Sequence, residues 1–169
     1  RHAAPESPFT ATRIDEIWQA RNKPVERAEE WRKLTDSLPQ AAEPRLRLAR
    51  AVWDLGDLSG AVSTCQEVLR VHPDHPEALL FFAELMAAGG QPESAAAHVE
   101  KALSLKPELR HQAGRVYFAA TERALNKQEW DTVLRFASRG ADIQPDNPLF
   151  PARIAAAKAK LDPNANATD

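Results

Sequence analysis

The segment "HPDHP", residues 72–76, holds the side chains best placed for chemistry in this sequence. His72 and His75 are three residues apart and flank Asp74, and imidazole nitrogens with a carboxylate are ligands that zinc accepts. A stable zinc site takes about three or four protein ligands, and the positions of the other residues imply no further ligand here. The two prolines instead favour a loop between two helices. We therefore predict no metal site.

The other reactive residues lie in patterns that favour structural roles. Cys65 is the only cysteine, which excludes an intrachain disulfide, and it falls in a helical column of packing residues. A buried, unreactive thiol is expected there rather than a nucleophile. The chain has no glycine-rich phosphate-binding loop, and "AAGGQPE" has the composition of a turn between helices. These patterns predict no catalytic residue, no cofactor and no enzyme activity.

Composition and charge narrow the class of partner. The chain has 169 residues and a formal net charge of −2, with 43% hydrophobic and 27% charged residues, as in an ordinary globular protein. A nearly neutral charge argues against nucleic acid, which attracts a basic excess. The apolar run "ALLFFAELMAA" is too short to cross a bilayer. The leader "RHAAPESPFTA" is typical of a linker or a processed start, which favours a periplasmic or membrane-tethered location over the cytoplasm.

Regularly spaced prolines organise the chain into units. Pro39, Pro73 and Pro107 are 34 residues apart, and Pro145 follows 38 residues after Pro107. A fixed period of this size is typical of stacked repeats. Upstream of each proline, two groups of apolar and small residues recur with helical spacing around one turn position. That position is occupied by Asn22, Gly56, Gly90 and Gln128. Gly and Asn favour the left-handed conformation that ends a helix, so each unit is predicted as helix, tight turn, helix and proline.

This pattern resembles the tetratricopeptide repeat. The resemblance rests on the large–small pairs Leu48-Ala49 and Phe82-Ala83, on the turn glycine, on a small residue such as Ala61 in the second helix, and on the closing proline. It implies an all-α fold, a right-handed solenoid of stacked antiparallel helix hairpins with a C-terminal capping helix.

The predicted organisation assigns every residue to a unit. In order, it has a flexible leader (1–7), a degenerate N-terminal hairpin (8–41), repeats at 42–75, 76–109 and 110–147, a capping helix (148–161) and a disordered tail (162–169). The first hairpin matches weakly because Asp15 and Arg27 replace small residues of the pattern. The third repeat has four additional residues near "LRHQ", which are expected to lengthen its first helix by one turn.

The resemblance also implies that a partner segment binds the concave side, which the first helices form. The residues predicted to bind it are Leu46, Arg50, Trp53, Leu80, Glu84, Phe118 and Glu122. Gaps of four and three residues place Leu46, Arg50 and Trp53 on one stripe of a helix. An alternative interpretation is that Leu46, Leu80 and Phe118 pack between adjacent helices or under the terminal helix. The Lys, Asn and Arg pattern with which some relatives hold a terminal carboxylate is absent, so an acidic chaperone tail is not the expected ligand.

The sequence thus predicts a non-enzymatic protein–protein interaction module, acting as a scaffold or assembly factor. Two alternatives remain open: a docking domain of a bacterial envelope machine for secretion or polysaccharide export that recruits a catalytic partner, and a secretion-system chaperone. The expected partner is a protein or peptide segment, with no nucleic acid and no membrane span in this chain. Neither the partner's identity nor the oligomeric state follows from the residues.

Overall fold

The computed structural model describes residues 8–162, and side chains from residue 11 onward. The predicted leader (1–7) and the predicted tail, apart from Asp162, lie outside the described residues. The described chain contains α-helices, one short 3₁₀ helix and no strand, which confirms the predicted all-α fold. The helices are α1 (Pro8–Ala20), α2 (Pro24–Ser37), α3 (Ala42–Asp54), α4 (Leu58–Val71), α5 (Pro76–Ala88), α6 (Pro92–Leu105), α7 (Arg110–Asn126), α8 (Trp130–Ile143) and α9 (Leu149–Leu161), with the 3₁₀ helix at Pro107–Leu109.

Proline and left-handed residues set the ends of these helices. Helices α2 and α6 begin at Pro24 and Pro92, where the missing N–H group costs no hydrogen bond. The four predicted turn positions all have a positive φ: 52° at Asn22, 87° at Gly56, 81° at Gly90 and 60° at Gln128. The chain therefore makes the same tight turn four times, including once with a glutamine.

The segment between α4 and α5 explains why two prolines stand so close together. Helix α4 ends at Val71 and α5 begins at Pro76. The loop between them includes His72 and His75, and the His75 N–H donates to the His72 carbonyl over 3.2 Å.

Helix α7 has 17 residues whereas α5 has 13, so the additional turn of the third repeat lies in its first helix.

The described chain divides into two compact units, one that ends at Leu85 and one that begins at Met86. In the first unit α1 packs against α2 and α3, α2 packs against α3, and α3 packs against α4. Small or medium side chains fill these contacts: Ala49, Ala61, Cys65 and Val68 are fully buried. Small residues let helix backbones approach closely, as the repeat pattern predicts.

The N-terminal hairpin replaces this small-residue contact by charge. Arg27 on α2 and Asp15 on α1 are 3% and 5% exposed, and two hydrogen bonds of 2.7 and 2.8 Å join them. Trp31 donates to Asp15 over 2.9 Å, and Arg27 also binds Asp54 at the end of α3. Burial lowers the pKa of Arg27, but hydrogen bonds to the two carboxylates outweigh burial and leave this pKa raised.

In the second unit α6 packs against α7, α7 against α8, and α8 against α9. The Phe150 ring of α9 lies so close to Gly140 of α8 that a β carbon there would overlap it. Phe150 and Ala157 are both fully buried, so α9 is anchored along one face. No helix of the described chain is long and apolar enough to cross a bilayer.

Candidate protein-binding surface

Four residues of the first unit form a mixed aromatic and charged patch. We call Arg50 and Trp53 of α3, with Phe81 and Glu84 of α5, the Arg50 surface. The Arg50 guanidinium carbon lies 4.1 Å from the centre of the Phe81 ring, and the Trp53 and Phe81 rings are 5.6 Å apart. Phe81 is fully buried, whereas the Arg50 side chain is 35% exposed and that of Glu84 is 18% exposed. The patch is therefore a buried aromatic floor that carries partly exposed side chains.

The Arg50 guanidinium has unused hydrogen-bonding capacity. Its nearest carboxylate oxygen belongs to Glu84 and lies 3.7 Å from Nη1, which is beyond hydrogen-bond distance. Within the described chain Arg50 donates no hydrogen bond, although a guanidinium carries five N–H donors. Burial lowers the pKa of Arg50, and the nearby Glu84 carboxylate opposes this shift. A guanidinium nevertheless keeps its charge in proteins. A charged group with unfilled donors is thus available at this surface.

Two leucines expected on this surface are instead in the core. Leu46 and Leu80 are each 3% exposed. They therefore contribute to helix packing, as the alternative interpretation of the sequence had it, and cannot touch a partner in this conformation. A first helix inside an array has neighbours on more than one side, which is why it is apolar on two faces.

The two predicted residues of the second unit are engaged by α9. Phe118 lies edge-on to Phe150 with ring centres 6.1 Å apart, and Arg153 donates to Glu122 over 2.7 Å. Both α7 side chains are partly buried. The terminal helix therefore already occupies the places where a partner was expected to contact Phe118 and Glu122.

Sequence reasoning missed two residues of these sites. Phe81 was not singled out, because it stands between a predicted surface position, Leu80, and a predicted packing position, Phe82. The sequence pattern that could have indicated Phe81 is that it lies on the first helix of its repeat, as Trp53 does in the preceding repeat, and first helices of successive repeats bring such rings together. Arg153 was assigned only to the end helix, and no periodic pattern indicated its ion pair with Glu122.

The residues first considered for chemistry have structural contacts. His72 Nε2 lies 2.8 Å from the Gln40 carbonyl, and His75 Nδ1 accepts from the Ala78 N–H over 3.3 Å. Cys65 is fully buried, and burial raises the pKa of its thiol to about 12. The described residues contain no cluster of three or more side chains that could hold a metal ion.

Part of the sequence matches the model of a known repeat family. Residues 52–115 match the family model described as tetratricopeptide repeat. Residues 52–115 therefore carry the tetratricopeptide repeat pattern, and the fold of the described chain is that of solved tetratricopeptide repeat proteins. No curated protein matches the sequence.

Solved structures with the same fold come from several bacteria. MamA 41-end from Desulfovibrio magneticus RS-1 has a TM-score of 0.68 at 17% identity, over 88% of this chain and 82% of that one. The thermophilic protein TTC0263 from Thermus thermophilus has a TM-score of 0.63 at 20% identity, over 90% and 82%. A tetratricopeptide repeat protein from Parabacteroides merdae ATCC 43184 has a TM-score of 0.65 at 17% identity, over 96% and 63%. At these identities the likeness establishes the fold alone.

Proposed function

We propose that this chain is a non-enzymatic interaction module, a scaffold or assembly factor that binds a segment of a partner protein at the Arg50 surface. The observation that carries the proposal is a partly exposed arginine with no hydrogen bond in the described chain, one helical turn from Trp53. The tetratricopeptide-repeat fold supports a role in protein–protein interaction in general terms.

The types of residue at this surface fit such a role. Arg and Trp are enriched among the residues that contribute most to protein–protein binding. Both are already ordered here by ring contacts with Phe81, so less side-chain entropy is lost when a partner binds. Glu84 beside Arg50 supplies the opposite charge, which would fix the orientation of a bound segment.

The proposed surface is narrower than the set predicted from sequence. It keeps Arg50, Trp53 and Glu84, and it leaves out the buried Leu46 and Leu80. Phe118 and Glu122 are left out because α9 engages both. A partner that used those two residues would have to displace α9, including the buried Phe150 ring.

A charge exchange between Arg50 and Glu84 tests the proposal. Peptides that bind the intact chain would first be selected from a random twelve-residue display library. Arg50→Glu and Glu84→Lys would then be compared singly and together for peptide affinity and thermal unfolding. The single changes bring like charges together, so they should lower stability, whereas the double variant restores an attractive pair and should recover it.

Affinity should behave differently from stability. If the peptide contacts Arg50, the double variant should bind at least about tenfold more weakly although its melting temperature has recovered. The matched control is Arg139→Glu on α8, since Arg139 also lies near a phenylalanine ring and 3.7 Å from a glutamate oxygen. Full affinity in the double variant, or an equal loss in the control, would remove the Arg50 surface from the proposal.

A further inference from the structure

We propose that the segment bound at the Arg50 surface carries one acidic side chain, whose carboxylate binds the Arg50 guanidinium, next to an apolar side chain that packs on Trp53. This inference rests on the proposed function and names the chemistry of its partner. It depends on the geometry around Arg50, on a second arginine of the same fold, and on the position of Trp53.

The first argument is the unfilled edge of the Arg50 guanidinium. The face of the group is occupied because it lies 4.1 Å from the Phe81 ring centre. Stacking uses the face and leaves the N–H donors pointing outward in the plane. The Glu84 oxygen lies 3.7 Å from Nη1, so it attracts the charge of Arg50 without accepting a hydrogen bond from it. A planar fork of donors with one free edge matches a carboxylate, which can accept two parallel hydrogen bonds.

The second argument is that one guanidinium in this chain already holds two carboxylates. Arg27 binds Asp15 through Nε and Nη2 and binds Asp54 through Nη1. The presence of Glu84 near Arg50 therefore does not prevent a further carboxylate from binding. It does limit the number, because a second acidic residue in the segment would be repelled by Glu84. One acidic side chain fits this site and an acidic run does not.

The third argument fixes what accompanies the acidic residue. Trp53 follows Arg50 by three residues, so both lie on one side of α3. The Trp53 side chain is partly exposed and its ring is held against Phe81. A partly exposed indole beside a salt-bridging group favours an apolar neighbour, which would shield the ion pair from water. The expected ligand is thus a segment with one Asp or Glu and a bulky apolar residue close to it.

Selection from the same display library tests this chemistry. The peptides would be fused to the coat protein through their carboxyl ends, so that every carboxylate they offer is a side chain. We expect peptides selected on the intact chain to share one acidic position beside an apolar one. For a synthetic peptide of that kind, Asp→Asn or Glu→Gln at the shared position should weaken binding at least about tenfold.

A cycle with Arg50 variants separates a direct contact from a general charge effect. With Arg50→Gln the peptide's acid-to-amide change should no longer matter. With Arg50→Lys part of the effect should return, because the charge remains but the planar fork is lost. An acid-to-amide effect that persists in Arg50→Gln would overturn the inference.

The outcomes also separate this inference from the function it rests on. Peptides that lose affinity in Trp53→Ala but share no acidic residue would refute the acidic ligand and keep the binding surface. A selection whose peptides bind Trp53→Ala and Arg50→Gln as well as the intact chain would refute both. Thermal unfolding of each variant shows whether the fold survives the substitution.

Discussion

Arg27 donates two hydrogen bonds to Asp15. In the next hairpin Ala61 occupies the position equivalent to Arg27, and Ala49 occupies the position equivalent to Asp15. In both hairpins the two positions are buried. The first hairpin thus makes with an ion pair the contact that the second makes with small side chains. The two departures from the repeat pattern compensate each other, which neither substitution could do alone.

The Asp15–Arg27 pair should show strong energetic coupling. Asp15→Ala and Arg27→Ala each leave a buried charge with fewer partners, so each should cost about 3–5 kcal/mol of unfolding free energy. The double variant should cost about 1–3 kcal/mol less than the sum of the two, because it leaves neither charge uncompensated by the other. Urea unfolding of the four proteins measures this. The exposed pair Lys33 and Glu30 serves as the control and should show no measurable coupling. If the losses of unfolding free energy for Asp15→Ala and Arg27→Ala simply add in the double variant, the two residues are not coupled and the account is contradicted.

The left-handed turn positions should respond in opposite directions to opposite substitutions. Gly56 has φ of 87°, and a β carbon added there would have no neighbouring atom within 4 Å, so Gly56→Ala meets backbone strain and no clash. We expect it to cost about 1 kcal/mol. Gln128→Gly removes the same strain at φ of 60° and should stabilise the chain by up to about 1 kcal/mol. Melting temperatures of the two variants that moved in the same direction would contradict this.

Much of the fold could be predicted because prolines and turn residues report backbone requirements directly. A missing N–H group at Pro92 and a positive φ at Gly56 are properties of single residues, so their spacing reveals the register. The binding surface was only partly predictable. Helical spacing showed that Leu46 and Arg50 share a stripe, but it could not show that neighbouring helices cover Leu46 and leave Arg50 partly exposed. Likewise, Asp15 and Arg27 at packing positions weaken the repeat pattern in the sequence, and only the structure shows that these two residues bind each other.

Gly140 and Gly114 both lie inside helices and should tolerate alanine very differently. A β carbon on Gly140 would overlap the buried Phe150 ring, so Gly140→Ala should cost about 1–3 kcal/mol by overpacking. At Gly114 the three atoms nearest to a β carbon all belong to the end of the Gln144 side chain, which can move. Gly114→Ala should therefore be nearly neutral in thermal unfolding. Combining Gly140→Ala with Phe150→Leu should recover part of the lost stability. If Gly140→Ala and Gly114→Ala changed the melting temperature equally, α9 would not pack on Gly140.

Cys65 should be unreactive in the folded chain. Burial raises the pKa of its thiol from 9.0 to about 12, and only the thiolate attacks a disulfide reagent. At pH 8 the folded chain should react with a disulfide reagent far more slowly than the chain in urea. The thiol also links stability to pH, because it ionises at a lower pH in the unfolded chain than in the folded one. Its contribution to the free energy of unfolding is therefore complete below pH 9.0 and is lost as the pH rises toward 12. Equal reaction rates with and without urea would place Cys65 at the surface.

The most direct test of the binding surface is a nuclear magnetic resonance titration of the isotope-labelled chain with a selected peptide. Two side-chain signals report the surface itself, the Arg50 Nε–H and the Trp53 indole N–H. We predict that these signals and the backbone amides around Glu84 shift most as peptide is added, while those of α8 and α9 stay in place. If the largest shifts map to α8 or α9 and the Arg50 and Trp53 signals do not move, the partner binds elsewhere and the Arg50 surface is not the site.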